Sequence, residues 1–219
     1  MLLEAFEALA VASEARADLS DLEVAGPLLR SRVQSEGSVL ADDGVHAPLC
    51  DGLVEVLQVQ ASGALTPVPS SVAAGWGVPV AELLLRGRQQ ALAVEEPTVE
   101  PVDLGADGVV AVQTSSPFAG SQVHRLGELL DLPAAGALVA LPTRHLLLAA
   151  PLLSRASALD AAQALLVNAE RLWEQGPGGL SPDLFWLRDG ALVQLPGTAT
   201  SLSPPLAFLE VLDALPRAD

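Results

Sequence analysis

An α+β fold, with antiparallel β-hairpins forming a sheet covered by helices and helical segments at both ends, is what this sequence predicts. Three observations carry that expectation. Strand-like runs come in close pairs around turn residues, as in "LFWLRDGALVQL", where Asp189-Gly190 separates two apolar runs. One long stretch, Ser154 to Gln175, keeps apolar residues at helical spacing and stops at "GPGG". Half of the 219 residues are hydrophobic, which is enough for a substantial core.

In chain order, residues 1–18 and roughly 21–34 read as two helices. Leu3, Phe6, Leu9 and Ala10 mark the first apolar face and Leu22, Leu28 and Leu29 the second; Asp21 lies at an N-cap position, and Gly26-Pro27 breaks or restarts the second helix. The loop "SEGSVLADDGVHAP" follows. "LVEVLQVQ", Leu53 to Gln60, then leads through "ASG" to a second short strand at Leu65 to Val68. After a helical turn near Trp76, Pro79 opens a helix whose buried stripe is Val80, Leu83, Leu84 and Leu92. "TVEPVDL" and "GVVAVQTS" pair around Gly105 to Gly108, and Ser121 caps a helix "QVHRLGELLDL".

The most apolar stretch is "GALVALPTRHLLLAAPLL", Gly136 to Leu153. It is not a membrane span, because an Arg at the centre costs about 2.5 to 3.5 kcal/mol and Pro142 and Pro151 interrupt a helix. Two apolar strands meeting at Pro142-Thr143-Arg144-His145 fit better: a central hairpin covered on both faces, with Arg144 and His145 at an exposed tip. The helix of Ser154 to Gln175 follows, with Leu159, Ala162, Leu165, Leu166, Ala169 and Trp173 in register. "PGTATSLSPP" reads as a linker, and "LAFLEVLDAL" as a final helix carrying Leu206, Leu209, Leu212 and Leu215 on one stripe. The expected organisation is therefore one α+β domain over 1–195, with 1–34 its helical start, a linker at 196–203 and a C-terminal helix over 204–219.

Composition limits the chemistry. The net charge is −16, from 27 acidic and 11 basic residues, which argues against a nucleic-acid surface and for a basic protein partner. Two stretches, Glu36 to Glu55 and Glu95 to Asp107, hold five acidic residues each and no Arg. Lys, Ile and Tyr, whose codons are AT-rich, are absent, which implies a GC-rich genome. Without Lys there is no Walker A loop, Schiff base, Ser-x-x-Lys nucleophile or kinase lysine. The lone Cys50 excludes an internal disulfide and fits a reducing cytoplasm, and Glu4, Glu7 and Glu14 are incompatible with a signal peptide.

No catalytic motif stands out, and no residue is assigned to a cofactor or a metal. "GPGGLS" ends a helix rather than opening one, so it is a stop and a turn. Two enzymatic arrangements remain as alternatives: a zinc site from His124, His145 and a carboxylate, or a hydrolase-type pair of Cys50 with His124 or His145. The favoured expectation is a non-catalytic cytoplasmic interaction module, of adaptor, chaperone or immunity-like type. Arg144, His145, Leu206, Leu209 and Leu212 are its expected partner-binding residues.

From Trp76 to Leu195 the chain resembles the bacterial YtpQ-like proteins of unknown function. "WGVPVAELLLRGRQQAL" is similar to that family's tryptophan-led helix, "FAGSQVHRLGELL" to its central helix, and "ALVALPTRHLLLAAP" to its apolar hairpin. "LSPDLFWLRDGALVQL" is similar to its closing strands, and "PLCDGLVEVLQVQ" more weakly to a strand upstream. The chain departs from the family in lacking Lys and Tyr, in a shorter N-terminal region and in its last helix. The resemblance implies a fold and supplies no site residues.

Overall fold

The computed structural model describes residues 19–38, 43–61, 63–198 and 201–217. The first expected helix, over 1–18, lies outside them. The second is mostly a strand. Helix α1 covers only Leu22–Ala25, capped by the Asp21 carboxylate accepting from the Glu23 amide at 2.8 Å. A 3-10 turn, Gly26–Leu28, passes through Pro27, and strand β1 then runs Leu29–Ser35. The reason lies in the side chains: Leu29, Ser31 and Val33 are buried while Arg30, Arg32 and Gln34 are half-exposed, the two-residue period of a strand.

Strands β2 (His46–Cys50), β3 (Leu53–Ala61) and β4 (Ala64–Pro67) complete a four-stranded antiparallel sheet. β1 pairs with β3 from Leu29↔Val59 to Ser35↔Leu53, while β2 and β4 follow one another along the opposite edge of β3. Part of the expected loop before Leu53 is thus the strand β2. Helices α2 (Ser70–Gly75) and α3 (Val80–Leu92) follow. Leu83, Leu84 and Ala91 of α3 are buried, whereas Val80, expected in that stripe, is exposed. At Gly87 the helix backbone rides against β1, since a Cβ there would stand 2.9 Å from the Ser31 amide nitrogen, Arg30 carbonyl carbon and Leu57 Cδ1.

The second sheet has six antiparallel strands in the order β10-β9-β7-β8-β6-β5. They are β5 (Thr98–Pro101), β6 (Val110–Gln113), β7 (Ala137–Thr143), β8 (Leu146–Pro151), β9 (Leu184–Arg188) and β10 (Ala191–Leu195). The apolar hairpin is at its centre, and every residue of β7 is buried. The β9–β10 turn has Asp189 at φ 51° and Gly190 at φ 77°, the left-handed pair that an Asp-Gly hairpin needs.

One face of this sheet is covered by the long helix α5 (Arg155–Gln175), which starts from a Ser154–Ser157 capping box. Leu138, Ala140, Leu148 and Ala150 pack there against Ala158, Ala161, Leu165 and Ala169. The other face meets a 3-10 helix (Gly120–Arg125), the short α4 (Leu126–Leu129), and Val33 and Leu53 from the first sheet. The single helix expected over "QVHRLGELLDL" is therefore two short pieces. Ser121, expected as its cap, is fully buried and donates to the Ser31 carbonyl at 3.3 Å.

The stretch read as a linker carries a two-residue ladder, β11 (Gly197–Thr198) with β12 (Ser201–Leu202). Helix α6 (Leu206–Ala214) then docks onto the α5 face. Its Phe208 meets the Trp186 ring edge-on at 5.4 Å, and Arg155 pairs with Asp213 at 2.7 Å. Among the described residues, no helix is long and apolar enough to cross a membrane.

Candidate functional site

The expected partner-binding residues divide between surface and core. Arg144 lies at the β7–β8 turn and is exposed, as expected. His145 is only half-exposed, because the turn is packed from outside: its Nδ1–H donates to the Ser116 carbonyl at 3.0 Å, and the Ala119 amide donates to the Arg144 carbonyl at 3.1 Å. On α6, Leu206 and Leu209 are 70% and 41% exposed, but Leu212 is 7% exposed and belongs to the core. The stripe splits because the helix packs through Phe208 and Leu212, which are four residues apart on one face.

The residues of the enzymatic alternatives have separate partners. Cys50 ends β2, with Asp51 and Asp183 nearby. Its thiol is pushed up to about 12, first by burial and then by the two carboxylates, which leaves almost no thiolate at neutral pH. His145 is held at Ser116, and His124 faces Glu55, its Nε2 standing 3.4 Å from Oε1. Among the described residues, no group of three or more His, Cys, Asp or Glu side chains is placed to hold a metal ion. The tryptophans also differ: Trp186 is buried and Trp76 donates to the Leu19 carbonyl at 2.9 Å, whereas Trp173, in register with the apolar residues of the long helix, is 41% exposed.

Glu55 has a role that residue spacing does not reveal. It belongs to an acidic stretch, yet β3 carries it into the interior with only 5% of its side chain exposed. Arg88 from α3 grips its carboxylate with two hydrogen bonds, Nε at 2.9 Å and Nη2 at 2.5 Å. Burial alone would raise the Glu55 carboxyl. The polar groups facing it, His124, Arg88 and Ser31, outweigh that and hold it at about 2, with Arg88 making the hydrogen bonds. His124 lies at the limit of hydrogen-bond range, so the bidentate Arg88 pair is the firmer anchor. The cluster ties β3, α3 and the 3-10 helix together, and its place is structural.

The other acidic stretch stays at the surface. Glu95 accepts from the Ser115 hydroxyl, and from the Ser116 amide and hydroxyl at 2.8 and 2.7 Å, which fastens the α3–β5 connection. Beyond it, Glu100 on β5 and Asp103 and Asp107 in the following turn are exposed and make no ion pair with any described residue. β5 is the edge of the six-stranded sheet. Pro101 in it lacks an amide donor, which blunts the edge against strand addition.

Arginines behave differently. Arg86, Arg88, Arg125, Arg155 and Arg188 each pair with a carboxylate of the chain, so much of the positive charge is matched within the fold. Arg32 and Arg144, like Arg30 and Arg171, form no ion pair with a carboxylate among the described residues. Residue spacing puts Arg32 in the expected second helix; the alternation of β1 instead places it beside the β7–β8 turn. No protein-family model, curated protein or solved structure matches the chain.

Proposed function

We propose that the chain is a non-catalytic, cytoplasmic interaction module of adaptor, chaperone or immunity-like type, which presents an acidic edge to a basic protein partner. We also infer that it is a YtpQ-like protein; the order of its elements, a tryptophan-led helix, a short central helix, an apolar hairpin and closing strands, supports this.

The observation that carries the interaction reading is the row Glu100, Asp103 and Asp107 on β5 and its turn, exposed and without an ion pair among the described residues. A surface that keeps carboxylates unmatched while arginines are drawn into internal pairs is complementary to a cationic partner. Affinity capture on the immobilised chain at low and high ionic strength tests this. Capture should be strong at about 0.05 M salt and fall at about 1 M, where the screening length shrinks to ~3 Å. The triple variant Glu100→Gln, Asp103→Asn, Asp107→Asn should lose the captured protein. Equal capture by the triple variant, or no salt-dependent capture, overturns the proposal.

A further inference from the structure

The protein also holds a small cationic cleft. Arg32 and Gln34 on the edge strand β1 form one wall, and Arg144 at the β7–β8 turn forms the other, with Gly178, Gly179 and Leu180 as its floor. Its volume is about 190 Å³. That is below the roughly 300 to 1,000 Å³ of pockets for drug-sized ligands, so it suits a small group.

Two features make it a binding site rather than a gap between loops. First, both arginines line the cleft and no carboxylate does. Burial, and then the positive charge of Arg144, lower the pKa of Arg32 from its ordinary value. The Nε of Arg32 is shielded from solvent and has no hydrogen-bond partner among the described residues. Withdrawing a guanidinium donor from water without an acceptor costs free energy, and bringing a second cation near adds to that cost. Glu36 and Asp183 line a neighbouring hollow that shares Ser35 and Leu180, but neither forms an ion pair with these arginines.

Second, the cleft is rigidly built. The chain after α5 returns alongside β7, with the amide of Arg144 donating to the Gly178 carbonyl at 3.1 Å, Leu180 to Pro142 at 2.9 Å and Ser181 to Leu141 at 3.0 Å. This ladder leaves the Gly179 amide without an acceptor among the described residues. Gly178 sits at φ +68°, and a Cβ there would come within 2.5 to 2.9 Å of the Arg144 Nε, Cζ and Cδ. Only glycine allows the guanidinium to lie where it does. The "GPGG" run thus stops a helix and also seats an arginine.

We propose that this cleft binds a phosphate group, free or as a small monoester. Two guanidinium forks on different elements offer donors that the three terminal oxygens and double charge of a phosphate dianion satisfy more fully than the two oxygens and single charge of a carboxylate. The overall charge of −16 does not prevent this. At physiological salt the screening length is about 8 Å, so the two adjacent arginines dominate the local field.

Calorimetric titration of the whole chain at constant ionic strength, adjusted with sodium chloride, tests the site. Inorganic phosphate and glycerol 3-phosphate are the probes, with acetate as the planar control. Saturable one-to-one binding of either phosphate is expected, tighter for the ion if the site takes free phosphate and for the ester if it takes a monoester. Arg144→Gln changes an exposed side chain and should weaken binding by at least about tenfold, as the loss of a charge-assisted hydrogen bond does. Arg32→Gln should do the same, while Arg171→Gln, which removes an exposed arginine bonded, among the described residues, only to Asn168, should leave it unchanged. No saturable heat with either phosphate, undiminished binding in Arg144→Gln, an equal loss in Arg171→Gln, or acetate binding as tightly as phosphate would each overturn the assignment.

Discussion

Replacing Glu55 by glutamine keeps the side chain's size and removes the charge that Arg88 and His124 meet. The carboxyl is held at about 2 against an ordinary value of 4.5, and its side chain is only 5% exposed, so little of its interaction is lost to solvent screening. At about 1.36 kcal/mol per pH unit, that depression corresponds to about 3 kcal/mol of stability at neutral pH. Breaking a buried ion pair from one side costs a similar ~3 to 5 kcal/mol, because the arginine left behind is still withdrawn from water. For a chain of this size, such a loss lowers the melting temperature by about 6 to 12 °C. Urea unfolding followed by tryptophan fluorescence reads it directly. The pH dependence has a definite sign: a carboxyl depressed in the folded state stabilises above its unfolded value and loses that contribution as pH falls. The gap between the native chain and Glu55→Gln should therefore be constant above about pH 4.5 and close towards pH 2. Arg88→Gln alone should cost a comparable amount, and the double variant less than the two singles together, with a coupling of at least about 1 kcal/mol. A Glu55→Gln chain within ~0.5 kcal/mol of native at neutral pH, or a gap that persists into acid, would refute the reasoning.

Three further changes test the packing and the thiol. Gly87→Ala should destabilise by about 1 to 3 kcal/mol in thermal unfolding, since the new methyl meets β1 backbone at 2.9 Å and this outweighs the ~1 kcal/mol that alanine gains in helix propensity. Cys50 should react with iodoacetamide near pH 8 about a thousandfold more slowly than an unperturbed thiol, because its pKa is raised from 9.0 to about 12; a rate near that of free cysteine would contradict this. Phe208→Ala should release α6 from Trp186, making the C-terminal segment sensitive to protease and shifting the tryptophan emission. Leu209→Ala, at a 41% exposed position, should do neither.

Much of the fold could be read from residue order, since its signals are local. The helix from Arg155 to Gln175, the Asp189-Gly190 hairpin, the β5–β6 pair and the apolar hairpin of β7 and β8 each follow from periodicity, a cap or a turn dipeptide within a few residues. β1 departs from the expected helix for a physical reason: Leu22, Leu28 and Leu29 satisfy a helical spacing, while the deciding alternation of Leu29, Ser31 and Val33 gains meaning only when β3 lies alongside. β2 is not legible in the sequence because Pro48 and two glycine turns outweigh five residues of weak strand pattern. The sites were less legible still, because their signals are not local.

Composition alone determined that this chain is acidic and lacks every lysine chemistry, and periodicity that it mixes helices with antiparallel hairpins. Tertiary structure alone decided which charges those residues present. It took Glu55 out of an acidic stretch and into a buried grip by Arg88, left Glu100, Asp103 and Asp107 at a sheet edge, turned Leu212 inward while Leu206 stayed outside, and set Arg32 opposite Arg144. The cause is common to all four: whether a charge is matched or a side chain covered depends on which distant segment packs against it, and local sequence does not specify that partner.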